Sequence, residues 1–151
     1  MRAATAASHP AAGRGDDEED EELASATRAR YLIDGIASLE PDRRTRSALR
    51  RQELLLAERE GASIHHLAMG RRASSMSGRL AITTERLILI KRRPVTLASL
   101  EELDDVSLMA HRLQVMLTTG AGFAIRAFRP RLLRVELAEA RAHWFDRQVL
   151  P

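Results

Sequence analysis

The residues of this 151-residue chain that could do chemistry are five histidines, several runs of adjacent carboxylates and a set of arginine clusters. A metal site needs two to four ligands converging on one point. His65 and His66 are neighbours, and on a strand adjacent side chains point to opposite faces, so they do not share an ion. His9, His111 and His143 stand alone in the sequence. Without cysteine there is no disulfide framework, no thiolate zinc site and no cysteine nucleophile. Glu101, Glu102, Asp104 and Asp105 could pair as general acid and base, but they flank a turn between strands, where solvated acids are ordinary. Ser74, Ser75 and Ser77 belong to a loop, and no Gly-x-Ser-x-Gly elbow exists to present a serine nucleophile. Gly120-Ala121-Gly122 opens no helix, so it reads as a hairpin turn and not a phosphate loop. The expectation is a protein with no catalytic residue, no metal and no cofactor.

The basic clusters are the other chemically suggestive feature. Arg71, Arg72, Arg79, Lys91, Arg92 and Arg93 could contact an anionic surface, where each charge contributes on the order of 1 kcal/mol. Nucleic acid is the weaker candidate anion. The aromatic residues are Tyr31, Phe123, Phe128, Trp144 and Phe145, most of them in apolar patterns that suit a core, which leaves no stacking platform for single strands. No helix has the makings of a basic groove reader. Charge is also unevenly placed: residues 1–22 carry two arginines against seven acids, and the rest of the chain 22 basic residues against 14 acids.

These residues must be held by elements that the hydropathy pattern outlines. The first 18 residues are Ala, Gly, Pro and acid, too poor in apolar area to offset the entropy of ordering, and are expected to be a disordered acidic tail. Residues 19–51 read as a helical extension. Leu32, Ile36 and Leu39 fall at helical spacing with Ala29 one turn earlier, a stripe expected to cover Ile88 and Ile90 on the sheet or to dock on a partner. Pro41 predicts a bend and a second short helix over about Asp42–Arg51.

From residue 52 the period becomes that of sheet. Leu54–Ala57 and the stretch from Ser63 read as strand, and Arg79–Thr83 and Arg86–Arg92 read as a hairpin turning at Thr84-Glu85. That register puts Leu80, Ile82, Leu87 and Leu89 on one face, the core side. Strands are expected at Val95–Ser99, Val106–Ala110, Leu113–Thr118 and Phe123–Phe128. After them comes a helix whose Leu133, Leu137, Ala140 and Trp144 make one apolar ridge. The class is α+β: an antiparallel layer of about seven strands, half-open and capped by a C-terminal helix over residues 52–148. The longest apolar run, Leu87–Ile90, is far too short to span a bilayer, and nothing before Pro10 has the apolar core of a secretion signal, so a cytoplasmic protein is expected.

Two segments carry a resemblance. Gly78-Arg79-Leu80-Ala81-Ile82-Thr83-Thr84-Glu85-Arg86-Leu87-Ile88-Leu89 resembles the glycine, apolar, Thr-x-x-Arg-Leu hairpin of bacterial PH-like domains, including the GRAM-related group. The step from Val95 to Val106 is similar to the one that follows in such domains, and the resemblance covers roughly Gln52 to Phe145. It implies a half-open barrel plugged by its last helix, and a non-catalytic scaffold for lipids, peptides or protein partners. The chain lacks the close Lys-x-(Lys/Arg)-x-Arg cluster of phosphoinositide-binding members; Arg71, Arg72 and Arg79 are its nearest substitutes. A protein partner or self-association is therefore expected ahead of peripheral attachment to anionic membrane, with Leu32, Ile36, Leu39, Ile88 and Ile90 as the partner-binding set.

Overall fold

The computed structural model describes residues 2–67 and 74–149, with side chains from residue 15 onward. Helix α1 (Arg2–Asp34) and short helix α2 (Arg43–Ala48) precede strands β1 (Leu55–Leu67), β2 (Ser75–Thr83), β3 (Arg86–Ile90) and β4 (Val95–Ser99). A 3-10 turn at Leu100–Glu102 leads to β5 (Leu103–Met109), β6 (Arg112–Leu117), β7 (Gly122–Arg126) and the C-terminal helix α3 (Pro130–Val149).

The strands form one antiparallel sheet of seven in the order β4-β3-β2-β1-β7-β6-β5. β1 makes the sheet curl. Its end, from Ser63 to Leu67, pairs with β7, while along its length it pairs with β2. Register shifts lie between Leu55 and Ala57 and between Arg59 and Ala62. Gly61 sits at the second shift with φ +65°, a left-handed conformation that a side chain would strain. The bend lets one strand serve both halves of the sheet, which remains half-open. The mouth is capped by α3, whose Leu133, Leu137 and Ala140 are buried and whose Trp144 packs half-buried beside them.

The hairpin register agrees with the sequence reading: Ile82 faces Leu87 and Leu80 faces Leu89 across β2 and β3. All four join the main core with Ile64, Leu113, Val115, Phe123 and Ile125. The opposite face is also covered. Leu55, Ala81, Ile88 and Ile90 form a second buried cluster under Ala48 and Leu49.

That cover corrects the expectation for the extension. The segment from α2 to Leu49, and not the first helix, lies over Ile88 and Ile90, so these two residues are interior and unavailable to a partner. The stripe through Leu32, Ile36 and Leu39 does not exist as one helical face. α1 stops at Asp34, Gly35 turns the chain with φ +76°, and Leu39 makes an isolated bridge to Leu55. Ile36 tucks against the main core, whereas Leu32 is 81% exposed.

The first 18 residues also depart from expectation, since α1 runs through them from Arg2. Helix growth is costly to start and cheap to extend, so a stretch docked further along can carry an alanine-rich leader into helix. The docked stripe is Asp17, Asp20, Ala24, Thr27 and Tyr31, at spacings of three and four.

Leu137→Ala should lower unfolding free energy by about 2–5 kcal/mol, since the ridge has no room to collapse around the lost side chain. Urea denaturation followed by circular dichroism measures it; a loss within error would mean that α3 is not the plug of the core.

Candidate functional site

The arginines singled out by sequence separate into three groups. Arg79 is committed internally: its guanidinium lies 2.7 Å from Asp42 and 3.6 Å from Glu58, bonds Glu60, and donates to Thr45 Oγ1 at 2.9 Å. Asp42 caps α2 by accepting from the Thr45 N–H at 2.9 Å, and that bond together with Arg79 holds its carboxyl below the usual aspartate range. Arg79 therefore ties β2 to β1 and α2, and is corrected from an anion-binding residue to a structural one. Lys91, Arg92 and Arg93 form the β3–β4 turn, with Lys91 half-buried and both arginines exposed, and no described acid pairs with them. Arg71 and Arg72 lie outside the described residues.

The most buried ionic site was only partly visible in the sequence. Glu53 has a fully buried side chain, and Arg86 meets it with a two-pronged contact, Nε to Oε2 at 2.8 Å and Nη2 to Oε1 at 3.0 Å. Glu53 also accepts from Thr83 Oγ1 at 2.6 Å and from the Arg50 N–H at 2.8 Å. Arg86 also donates to Thr96 Oγ1 at 2.7 Å and to the Ala48 carbonyl at 3.0 Å. Burial would raise the Glu53 carboxyl, yet Arg86, the Arg50 amide and Thr83 together hold it below the ordinary value. The geometry leaves these oxygens no free valence for a substrate.

A second ionic group surrounds the start of α3. Arg59 on β1 donates to Glu136 at 2.5 Å and to the Phe128 carbonyl at 2.7 Å, fixing the junction of β7 and α3. Burial raises the Glu136 carboxyl, with Arg59 opposing. Asp20, 2% exposed, reaches across from α1 and accepts the N–H groups of Arg131 at 2.8 Å and Leu132 at 3.1 Å. It is an N-cap supplied by another helix. α3 needs one because Phe128-Arg129-Pro130 contains none of the Ser, Thr, Asp or Asn residues that usually cap, and Arg129 already has φ +54°. That missing cap was the available sequence signal for Asp20. Around it, Arg131 meets Asp17 at 2.9 Å and Glu21 at 3.5 Å, and Arg129 meets Glu19 at 3.8 Å. A cavity of about 330 Å³ opens here between Asp16, Asp17, Asp20, His111, Phe128 and Arg129.

The described histidines do not converge. His65 and His66 follow one another on β1, with the His66 ring edge-on to Phe123, and His111 stands 3.9 Å from Asp17. Among the described residues no group of three or more His, Asp or Glu side chains is placed to hold a metal ion. Much of this charge joins elements; among the groups left exposed are Arg92 and Arg93 of the β3–β4 turn and Leu32 and Ile33 at the C-terminal end of α1.

Two outcomes are expected. Asp20→Ala should cost about 1–2 kcal/mol, the usual loss for a cap, and should speed amide exchange at Arg131 and Leu132 ahead of the sheet; unchanged exchange there would dismiss the capping role. Glu53→Gln should cost about 3–5 kcal/mol at neutral pH by leaving Arg86 buried against a neutral amide. Because the Glu53 carboxyl lies low in the folded state, its contribution is present above 4.5 and fades as pH falls through the lower folded value. The stability gap between wild type and Glu53→Gln should therefore narrow on acidification, as denaturant titrations at a series of pH values would record.

No family model matches this chain, and no curated protein matches it. Among solved structures it is similar to the C-terminal domain of an unknown protein from Leishmania infantum, with 14% identity and a TM-score of 0.43 over 60% of this chain and 85% of that one.

Proposed function

We propose that this chain is a non-enzymatic, cytoplasmic interaction module of the PH-like kind, related to the GRAM group, that binds a protein partner or assembles with itself. The half-open seven-stranded sheet with its terminal helix supports the PH-like reading, because it is the layout that the hairpin resemblance implied. One observation carries the interaction reading. Leu32 and Ile33 stand side by side at the end of α1, 81% and 83% exposed, between Ala24, which is buried, and Ile36, which packs on the core. Scattered exposed leucines are ordinary, but two adjacent large apolar side chains that stand almost wholly in water make a surface that association would remove from it.

A second reading rests on the β3–β4 turn. Lys91, Arg92 and Arg93 could hold the domain peripherally on anionic membrane, and Arg79 is not available to help them. Among the described residues no helix is long and apolar enough to cross a membrane, which is compatible with either reading.

Affinity capture from native extract, compared among wild type, Leu32→Glu/Ile33→Glu and Lys91→Glu/Arg92→Glu/Arg93→Glu, separates the two. The module reading expects the first variant to lose the captured protein and the second to keep it. Equal capture by all three sinks that reading. Sedimentation with phosphatidylserine vesicles that is lost only in the second variant would put the membrane in its place.

A further inference from the structure

We infer that a cavity beside the C-terminal end of α3 is a binding site for a free amino acid in its zwitterionic form. The site involves neither Leu32 and Ile33 nor the β3–β4 turn, so it stands apart from both surfaces weighed above.

The cavity has a volume of about 290 Å³ and opens where separate segments of the chain meet. Arg50 comes from the turn before β1, Glu85 from the β2–β3 turn, Ser99 from the end of β4 and Glu101 from the 3-10 turn; Trp144, Arg147 and Gln148 come from the last turns of α3. These walls are fastened in place. The Glu85 carbonyl accepts the Leu100 N–H at 3.0 Å, which joins the β2–β3 turn to the 3-10 turn. The Arg50 N–H donates to Glu53 at 2.8 Å, so the buried ion pair holds that wall. Arg141 Nε donates to the Leu103 carbonyl at 3.1 Å and seats the end of α3 on β5. Small-molecule sites are preformed hollows of about 300–1,000 Å³ with a few placed polar groups, and a volume at the low end of that range suits an amino acid and not a nucleotide.

The groups that remain free select the ligand. Arg50 and Glu85 are spent on one another, Nη1 to Oε1 at 3.0 Å. Ser99 Oγ donates its proton to Glu102 at 2.9 Å, which leaves its oxygen as an acceptor. Glu101 is an acceptor only, whereas the Arg147 guanidinium and the Gln148 amide nitrogen are donors. Glu101 and Arg147 are exposed, line the same cavity and belong to none of the described ion pairs, so they do not neutralise each other. Arg147 also complements the dipole at the end of α3, a role that asks nothing of Glu101. The cavity thus offers acceptors for an ammonium from Ser99 and Glu101, and donors for a carboxylate from Arg147 and Gln148. A ligand with one charge would answer half of them. An amino acid with an apolar side chain answers both, and the half-buried Trp144 indole supplies an aromatic surface for the side chain.

Trp144 is the chain's one tryptophan, so its emission reports on this cavity. Titration of the whole chain with free leucine should give a saturating change. N-Acetyl-leucine lacks the ammonium and leucinamide the carboxylate; each should bind roughly tenfold or more weakly, about 1.4 kcal/mol. Glu101→Gln and Arg147→Gln alter exposed side chains, and melting temperatures confirm that both fold. Glu101→Gln should lose the discrimination against N-acetyl-leucine and keep that against leucinamide, and Arg147→Gln should do the converse. Equilibrium dialysis with labelled leucine detects binding that leaves the emission unchanged. Absence of saturable binding by both methods over the millimolar range overturns the site. So does equal binding of the three compounds, or discrimination that neither substitution alters. Capture of a protein through Leu32 and Ile33 uses other residues, so either result can fail without the other.

Discussion

The ion pair between Glu53 and Arg86 is the constraint on which the domain's outer layer depends. Arg86 begins β3, Glu53 lies in the turn before β1, and Thr83, Thr96, Arg50 and Ala48 complete the bonding around them. One guanidinium thus joins β3, β4, the end of α2 and the approach to β1. A buried pair of charges is weak evidence for net stability, because desolvation consumes most of the attraction. Its consequence is geometric. With both Glu53 oxygens and four Arg86 donors engaged, the segment carrying Ala48 and Leu49 is tied over Leu55, Ala81, Ile88 and Ile90, and β3 is buried on both faces.

The same use of charge recurs at each junction. Arg79 binds β2 to α2 and β1, Arg59 binds β1 to the β7–α3 corner, and Arg131 binds α3 to α1. Arginine suits this work because its planar fork can bond two or three partners at once and never loses its charge. Several of the arginines are thus used by the fold itself, Arg79 among those that the sequence offered to an anionic surface. Lys91, Arg92 and Arg93 at the β3–β4 turn are not among the described ion pairs.

Legibility followed the range of the interactions. The β2–β3 hairpin was readable because its period and its turn residues are local, and so was the ridge of α3 from Leu133 to Trp144. The buried role of Arg86 was half readable: the face it shares with Ile88 and Ile90 is too apolar to be wet, but its carboxylate partner lies 33 residues away. The packing of α1 was not readable by apolar spacing, since that criterion selects Leu32, Ile36 and Leu39. The face that docks consists of Asp17, Asp20, Ala24, Thr27 and Tyr31. Its anchor satisfies amides 111 and 112 residues away, a relation that no local window contains. The gap in the capping pattern at Phe128-Arg129-Pro130 was the one trace of it.

The contrast between the two ways of holding an element bears on function. α3 is retained by apolar side chains inserted in a curved sheet, an arrangement that only the native chain fold provides. α1 is retained by a cap and partly exposed ion pairs, whose strength falls with salt and whose geometry any equivalent carboxylate segment could reproduce. Elements held in the second way open at lower free energy than the core they rest on. The domain thus consists of a rigid body, fixed by Glu53–Arg86 and the α3 plug, and a long helix fastened to it by replaceable bonds. Because these bonds converge on the N-terminus of α3, release of α1 would hand the amides of Arg131 and Leu132 to water and strip Arg131 of its carboxylate partners.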